Sequence, residues 1–97
     1  MRIHQILSPE IRDKIPDVSF VCLIRLSLVP EAPDQAMLRP ESVKSLAQFL
    51  EQSDWPENAA LLLTPHGNLE LGWAEGGYDC GIEFKDVDSV ESWKFEV

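Results

Sequence analysis

At 97 residues the chain holds a single domain, and its 44% hydrophobic and 26% charged residues exclude collagen-like, coiled-coil and disordered classes. Eight basic residues against 17 acidic ones leave a formal charge of −9, which repels nucleic acid and anionic membranes and attracts basic partners. All of that excess lies in residues 49–97, where only Lys85 and Lys94 offset eleven acids, while residues 1–48 balance six bases against six acids. Solubility alone is the competing explanation for such a charge.

Two parts follow one another within the domain: an N-terminal segment, residues 1–38, and a helix with a β-meander, residues 39–97. Ser8-Pro9-Glu10 reads as a helix start, with Ser8 as the cap and Pro9 in the first helical position, and that helix stops near Ile15 ahead of Pro16. Val18 to Leu28 suits a strand or a buried helix. Val18, Val21, Ile24 and the aromatic Phe20 favour the strand, and Leu23, Leu26 and Leu28 fit the helix almost as well, so a strand is expected. Pro30, Pro33 and Pro40 then mark a connecting segment.

Residues 40–52 carry the clearest helical signal. Pro40 opens the segment, Glu41 faces the positive end of the dipole, and Val43, Leu46, Ala47 and Leu50 fall on one stripe. Ser53-Asp54-Trp55-Pro56 ends it.

The remainder reads as an antiparallel meander. Thr64-Pro65-His66-Gly67-Asn68 predicts a turn with a left-handed Gly67 and a bulge, pairing Thr64 with Asn68. That register sets Leu61 and Leu63 opposite Leu71 and Leu69 on one face, whereas a two-residue turn would split the leucines between faces. A second turn at Gly76-Gly77 sets Trp73 opposite Cys80, Leu71 opposite Ile82 and Leu69 opposite Phe84. A last strand near residues 91–97 is expected to add Trp93, Phe95 and Val97 to the same inner face, under the helix. The fold class is therefore α+β: three to four antiparallel strands on one main helix, with a helical N-terminal segment.

Several of these residues resemble a family of small bacterial proteins without assigned function. They are Arg39-Pro40-Glu41-Ser42, Leu46-Ala47-Gln48-Phe49-Leu50, Trp55-Pro56, Thr64 through Trp73, and Ile82-Glu83-Phe84. In that family a helix ending near A-x-x-L precedes a P-x-G-x-L-x-L-x-W hairpin and an I-E-F strand. The resemblance covers residues 39–84, consists of turn and core chemistry, and brings no catalytic set with it. Residues 1–38 lie outside it; the resemblance implies a helix, not a strand, over residues 21–28.

The second hairpin has an outer face of interest. Its pairing sets Gly72 opposite Gly81, Glu70 opposite Glu83 and Ala74 opposite Asp79. Facing glycines weaken a sheet and bare its backbone, and facing glutamates repel, so stability alone would not select either pair. The reading is a flat acidic surface for a basic partner, built from Glu70, Gly72, Asp79, Gly81 and Glu83, with Asp54, Trp55, Glu57 and Glu75 as further candidates. The competing reading lets the glycines admit another part of the chain, and lets Trp55 close the helix–sheet corner.

Chemistry fares less well. Glu70 with Glu83 as a glycosidase pair would need a cleft, and the expected site is open sheet. No loop of alternating Asp and Asn ligands supports hard-cation binding by Glu70, Asp79 and Glu83. His4 and His66 are the only histidines, His66 at a turn tip. Cys80 is expected on the core face, Cys22 in an apolar run, and the four are too scattered for zinc. Two buried free thiols are expected, with no disulfide. There is no phosphate-binding loop and no dinucleotide fingerprint.

The longest apolar run, Val18 to Ile24, falls far short of the ~20 residues that span a bilayer, and it follows a mixed-charge stretch unlike the basic start of a signal peptide. The expectation is a cytoplasmic, non-enzymatic acidic protein, without cofactor, catalytic residues or metal. It would block a basic protein surface as an inhibitor, antitoxin or immunity-type protein does, or as a mimic of the phosphate backbone, without binding nucleic acid or membrane directly. The alternative is a self-associating structural module, a homodimer built on the Val18–Leu28 segment and a sheet edge, in which the charge serves solubility only.

Overall fold

The computed structural model describes residues 1–28 and 36–97. Ser8 caps the helix that follows it: its hydroxyl accepts from the Ile11 N–H at 3.3 Å, with Pro9 in the first turn. This helix, α2 (Pro9–Lys14), is preceded by one short turn, α1 (Ile3–Ile6), which sequence periodicity is too short to announce. Ile3, Leu7, Ile11 and Ile15 are buried, which anchors both helices to the core. The connecting prolines 30 and 33 fall outside the described residues.

Residues expected as a strand form a helix instead, α3 (Asp17–Leu26). Its ends explain the outcome. Pro16 precedes it, Asp17 occupies the first turn and Arg25 the last, so both charges match the helix dipole. The Phe20 N–H closes on the Pro16 carbonyl at 2.9 Å and the Ser27 N–H on that of Leu23 at 3.0 Å. The β-branched residues that favoured a strand lie on its outer side and cost the helix at most about 0.7 kcal/mol each in propensity, while Leu23 is fully buried.

The main helix, α4 (Pro40–Gln52), has the bounds expected of it. Val43, Leu46 and Leu50 are fully buried, each burial worth roughly 1.5–3 kcal/mol. The same stripe carries Ser42, whose buried hydroxyl donates to the Phe84 carbonyl and accepts from the Leu69 N–H at 2.7 Å. The helix is thereby fastened to two strands at once. At its far end the Lys14 ammonium reaches the Leu50 carbonyl at 2.5 Å, a cation on the negative end of the dipole.

Four strands follow: β1 (Ala60–Leu63), β2 (Leu69–Glu75), β3 (Tyr78–Asp86) and β4 (Ser89–Glu96), paired in sequence order and antiparallel throughout. The Thr64 N–H donates to the Asn68 carbonyl at 2.8 Å, Gly67 has φ +83°, and Leu61 and Leu63 face Leu71 and Leu69. The bulged-turn register is the one formed. A β-carbon at Gly67 would collide with the Met37 carbonyl, so the turn needs glycine for space as well as for φ. The second hairpin also has the expected register, from Leu69↔Phe84 through Ala74↔Asp79.

The last strand departs from expectation. Its register shifts between Phe84 and Asp86, leaving Lys85 without a partner. One extra residue inverts the alternation of everything after it. Trp93 therefore pairs with Gly81 and Phe95 with Asp79, on the outer face, while Ser92 and Lys94 take the inner positions beside Ile82 and Cys80. The turn that sets this shift is clasped by α4. Asp88, at φ +61°, donates its N–H to Gln48 Oε1 at 2.8 Å and accepts from Gln48 Nε2 at 3.2 Å.

The helices cover one face of the sheet. α4 packs on β2 and β3, and α3 packs on β1, where the Cys22 thiol lies 3.9 Å from the Leu61 carbonyl. Cys80 is buried and Cys22 only half-buried; both are free thiols.

Candidate partner-binding face

The uncovered face of the sheet is organised in rows that cross the strands. One row runs Leu62, Glu70, Glu83, Glu91 from β1 to β4, the next Ala60, Gly72, Gly81, Trp93, and a third Ala74, Asp79, Phe95. Three carboxylates stand in line beside an aromatic row, with Asp79 on its other side.

The carboxylates are held differently. Lys85, freed from the ladder by the bulge, reaches Glu91 at 2.6 Å. That hydrogen bond, with the charge behind it, holds the Glu91 carboxyl below and the Lys85 ammonium above their ordinary ranges. Glu83 Oε2 accepts from Asn68 Nδ2 at 3.0 Å, and Asn68 Oδ1 accepts from Arg39 Nη1 at 2.7 Å. Arg39 also donates to the Lys85 carbonyl at 2.7 Å, which fixes the bulge and the Glu83 carboxylate together. Glu70 makes no ion pair or side-chain hydrogen bond among the described residues. Partial burial first, and the neighbouring Glu83 second, push its carboxyl above the ordinary range.

Gly81 explains the centre of the face. A β-carbon there would run into the Trp93 indole, so the glycine is the seat of that ring, an aromatic filling a gap left in a neighbouring strand. Of the readings open for the glycines, admitting another part of the chain describes Gly81. Gly72 differs: the nearest atom to a β-carbon there is the Cys80 carbonyl oxygen at 3.9 Å, so its backbone is open to approach.

The candidate residues divide into groups. Glu70, Gly72, Asp79, Gly81 and Glu83 share the outer face as the register implied. Asp54 stands apart, exposed and 4.0 Å from the Lys14 ammonium. Trp55 packs against the core, its indole N–H buried without a hydrogen-bond partner among the described residues; it closes the helix–sheet corner. Glu57 and Glu75 border a depression of about 250 Å³ with Pro56, Trp73 and Ala74, and Glu75 has inner-face parity on β2. These four do not join the acidic row.

Residues missed from sequence complete the face: Glu91, Trp93, Phe95, Lys85 and Leu62. The alternation along the last strand places Trp93 and Phe95 in the core; the bulge at Lys85 puts them outside it. The facing glycines were the available signal, since bare backbone in mid-sheet calls for an aromatic neighbour.

His66 is exposed at its turn tip, and Cys80 is buried on the inner face. Among the described residues no group of three or more His, Cys, Asp or Glu side chains is placed to hold a metal ion, and no helix is long and apolar enough to cross a membrane. Comparison with known proteins adds no relative, and the resemblance over residues 39–84 rests on its motif residues alone: no family model, curated protein or solved structure matches this chain.

Proposed function

We propose that the outer sheet face binds a basic segment of another protein and blocks it, without chemistry of its own. The observation that carries this reading is the line of Glu70, Glu83 and Glu91 beside the half-exposed Trp93 and the exposed Phe95. An aromatic surface edged by carboxylates suits Arg and Lys: the ring takes the face of a guanidinium or the ammonium of a lysine, and the carboxylates take its N–H groups. Among the described residues four carboxylates on this face stand against Lys85 and, at the edge beyond Asn68, Arg39, so the field also accelerates the approach of a positive surface. Burial first, and the facing Glu83 second, raise the Glu70 pKa; an arriving cation offsets the second of these and supplies the counter-charge that Glu70 lacks.

An inhibitor, antitoxin or immunity-type protein of the cytoplasm acts in this way on a nuclease or another nucleic-acid-binding protein, and a row of carboxylates presents a line of negative charge as a phosphate backbone does. The test is affinity capture with the full chain at low salt. Basic proteins that elute as salt is raised support the proposal. Capture confined to neutral or acidic proteins, or retention indifferent to salt, contradicts it.

A further inference from the structure

A helix that is apolar on all sides belongs in an interior, and α3 has only one side covered. Leu23 is fully buried, yet Val18 is 84%, Val21 52% and Leu28 63% exposed, with Ile24 exposed between them. At about 100° per residue, positions 17, 18, 24 and 25 all lie within about 60° of Val21, and Leu28 follows just past the end of the helix. The outer face of α3 is therefore an apolar stripe with Asp17 at one end and Arg25 near the other.

We propose that this stripe is where two copies of the chain meet, with their α3 helices antiparallel across a two-fold axis at Val21. Three properties of the stripe select a second copy as its occupant. First, it is self-complementary. Centred on Val21, the antiparallel arrangement sets Val18 against Ile24 of the second copy, Val21 against its own counterpart, and Asp17 against Arg25 of the second copy. Second, the charges needed are available. Arg25 is exposed and makes no ion pair among the described residues, and Asp17 remains 93% exposed although its Oδ1 is bonded to Arg12 at 3.0 Å. Its second oxygen can take the guanidinium of the other copy. Third, the charge close to the stripe permits the contact, the more distant acids being screened beyond a Debye length of about 8 Å at physiological salt. Residues 1–28 carry four basic residues against three acidic ones, while the excess of −9 belongs to residues 49–97. The acidic outer face stays free in such a dimer, so the inference does not depend on the function proposed for that face. One short helix pair is a small interface, and the dimer forms in the micromolar range.

The test is light scattering of the full chain over micromolar concentrations, together with four variants. The wild type is expected to approach twice the 11.0 kDa chain mass as concentration rises. Val21→Glu places two carboxylates against each other on the axis and weakens the dimer about tenfold or more; because Val21 is exposed, the far-ultraviolet circular dichroism stays that of the wild type. Asp17→Arg and Arg25→Asp each weaken the dimer alone, and the double exchange restores it. The rescue keeps the proposal testable even where a single variant disturbs the helix. A wild type that stays monomeric overturns the proposal, as does a dimer indifferent to Val21→Glu, or a double exchange no tighter than its singles.

Discussion

The Trp93 indole lies on the backbone of Gly81, in space that a β-carbon at position 81 would occupy. The ring forms the centre of the acidic face, and it sits there because the bulge at Lys85 turned β4 over.

Gly81→Ala and Gly72→Ala should therefore behave differently although the two glycines are partners across the same pair of strands. Alanine at 81 must displace Trp93, at a cost of about 1–3 kcal/mol, and the tryptophan emission should shift to longer wavelength as the ring enters water. Alanine at 72 meets only the Cys80 carbonyl oxygen, at an ordinary contact distance of 3.9 Å, and should be neutral or stabilising by up to about 1 kcal/mol. Chemical denaturation of the two variants checks this. Equal losses at both positions would contradict the seating of Trp93 on Gly81.

The Ser42 hydroxyl ties α4 to both central strands. Ser42→Ala leaves the Leu69 N–H and the Phe84 carbonyl without that partner in a dry interior, a loss of about 1–3 kcal/mol. Denaturant melts should show the drop in midpoint with an unchanged slope. A variant as stable as the wild type would mean that the two groups find each other directly.

Lys14 joins the N-terminal helices to α4 through the Leu50 carbonyl. Lys14→Met keeps most of the aliphatic stem and removes the charge from the helix end, so a loss of about 1 kcal/mol is expected. Salt should narrow the difference between variant and wild type, which separates the charge from the packing of the stem.

Glu70 sets one part of the pH dependence. Its folded-state pKa is raised, by burial and then by Glu83, so the folded state holds the proton more tightly than the unfolded state does. Stability falls as pH rises from the ordinary carboxylate pKa through the raised one, and ionised Glu70 is a burden at neutral pH. Glu70→Gln should melt higher than the wild type at neutral pH, and the advantage should disappear below the carboxylate range. Glu91 works in the opposite sense: Lys85 lowers its pKa, so its contribution is lost as pH falls. A Glu70→Gln variant that melts lower than the wild type at neutral pH would contradict the assignment.

The two central hairpins and α4 were legible because their signals are local. Pro65, Gly67 and the four leucines admit one register, and Pro40 with Val43, Leu46 and Leu50 admits one helix. α3 was not legible from side-chain preference, because the β-branched penalty in a helix is small, at most about 0.7 kcal/mol per residue, and is overridden by the helix ends and the burial of Leu23. The Asp17 and Arg25 charges at its ends were the better guide. The facing of β4 was hidden because it depends on one unpaired residue, and that residue is fixed from a distance: Arg39 holds the Lys85 carbonyl and Gln48 holds Asp88. The acidic half of the site followed from the Gly76-Gly77 turn, and the aromatic half was lost with β4.

Location of charge, as distinct from its total, is the central claim, and one titration tests it. An arginine-rich peptide is added at low salt to three proteins: the wild type, Glu70→Lys with Glu83→Lys, and Asp13→Lys with Glu51→Lys. The two double variants change the net charge equally, and the second alters exposed acids on the helices. The account predicts that the pair on the sheet abolishes binding and the pair on the helices leaves it little changed. Equal loss in both would contradict it and return the −9 to solubility alone.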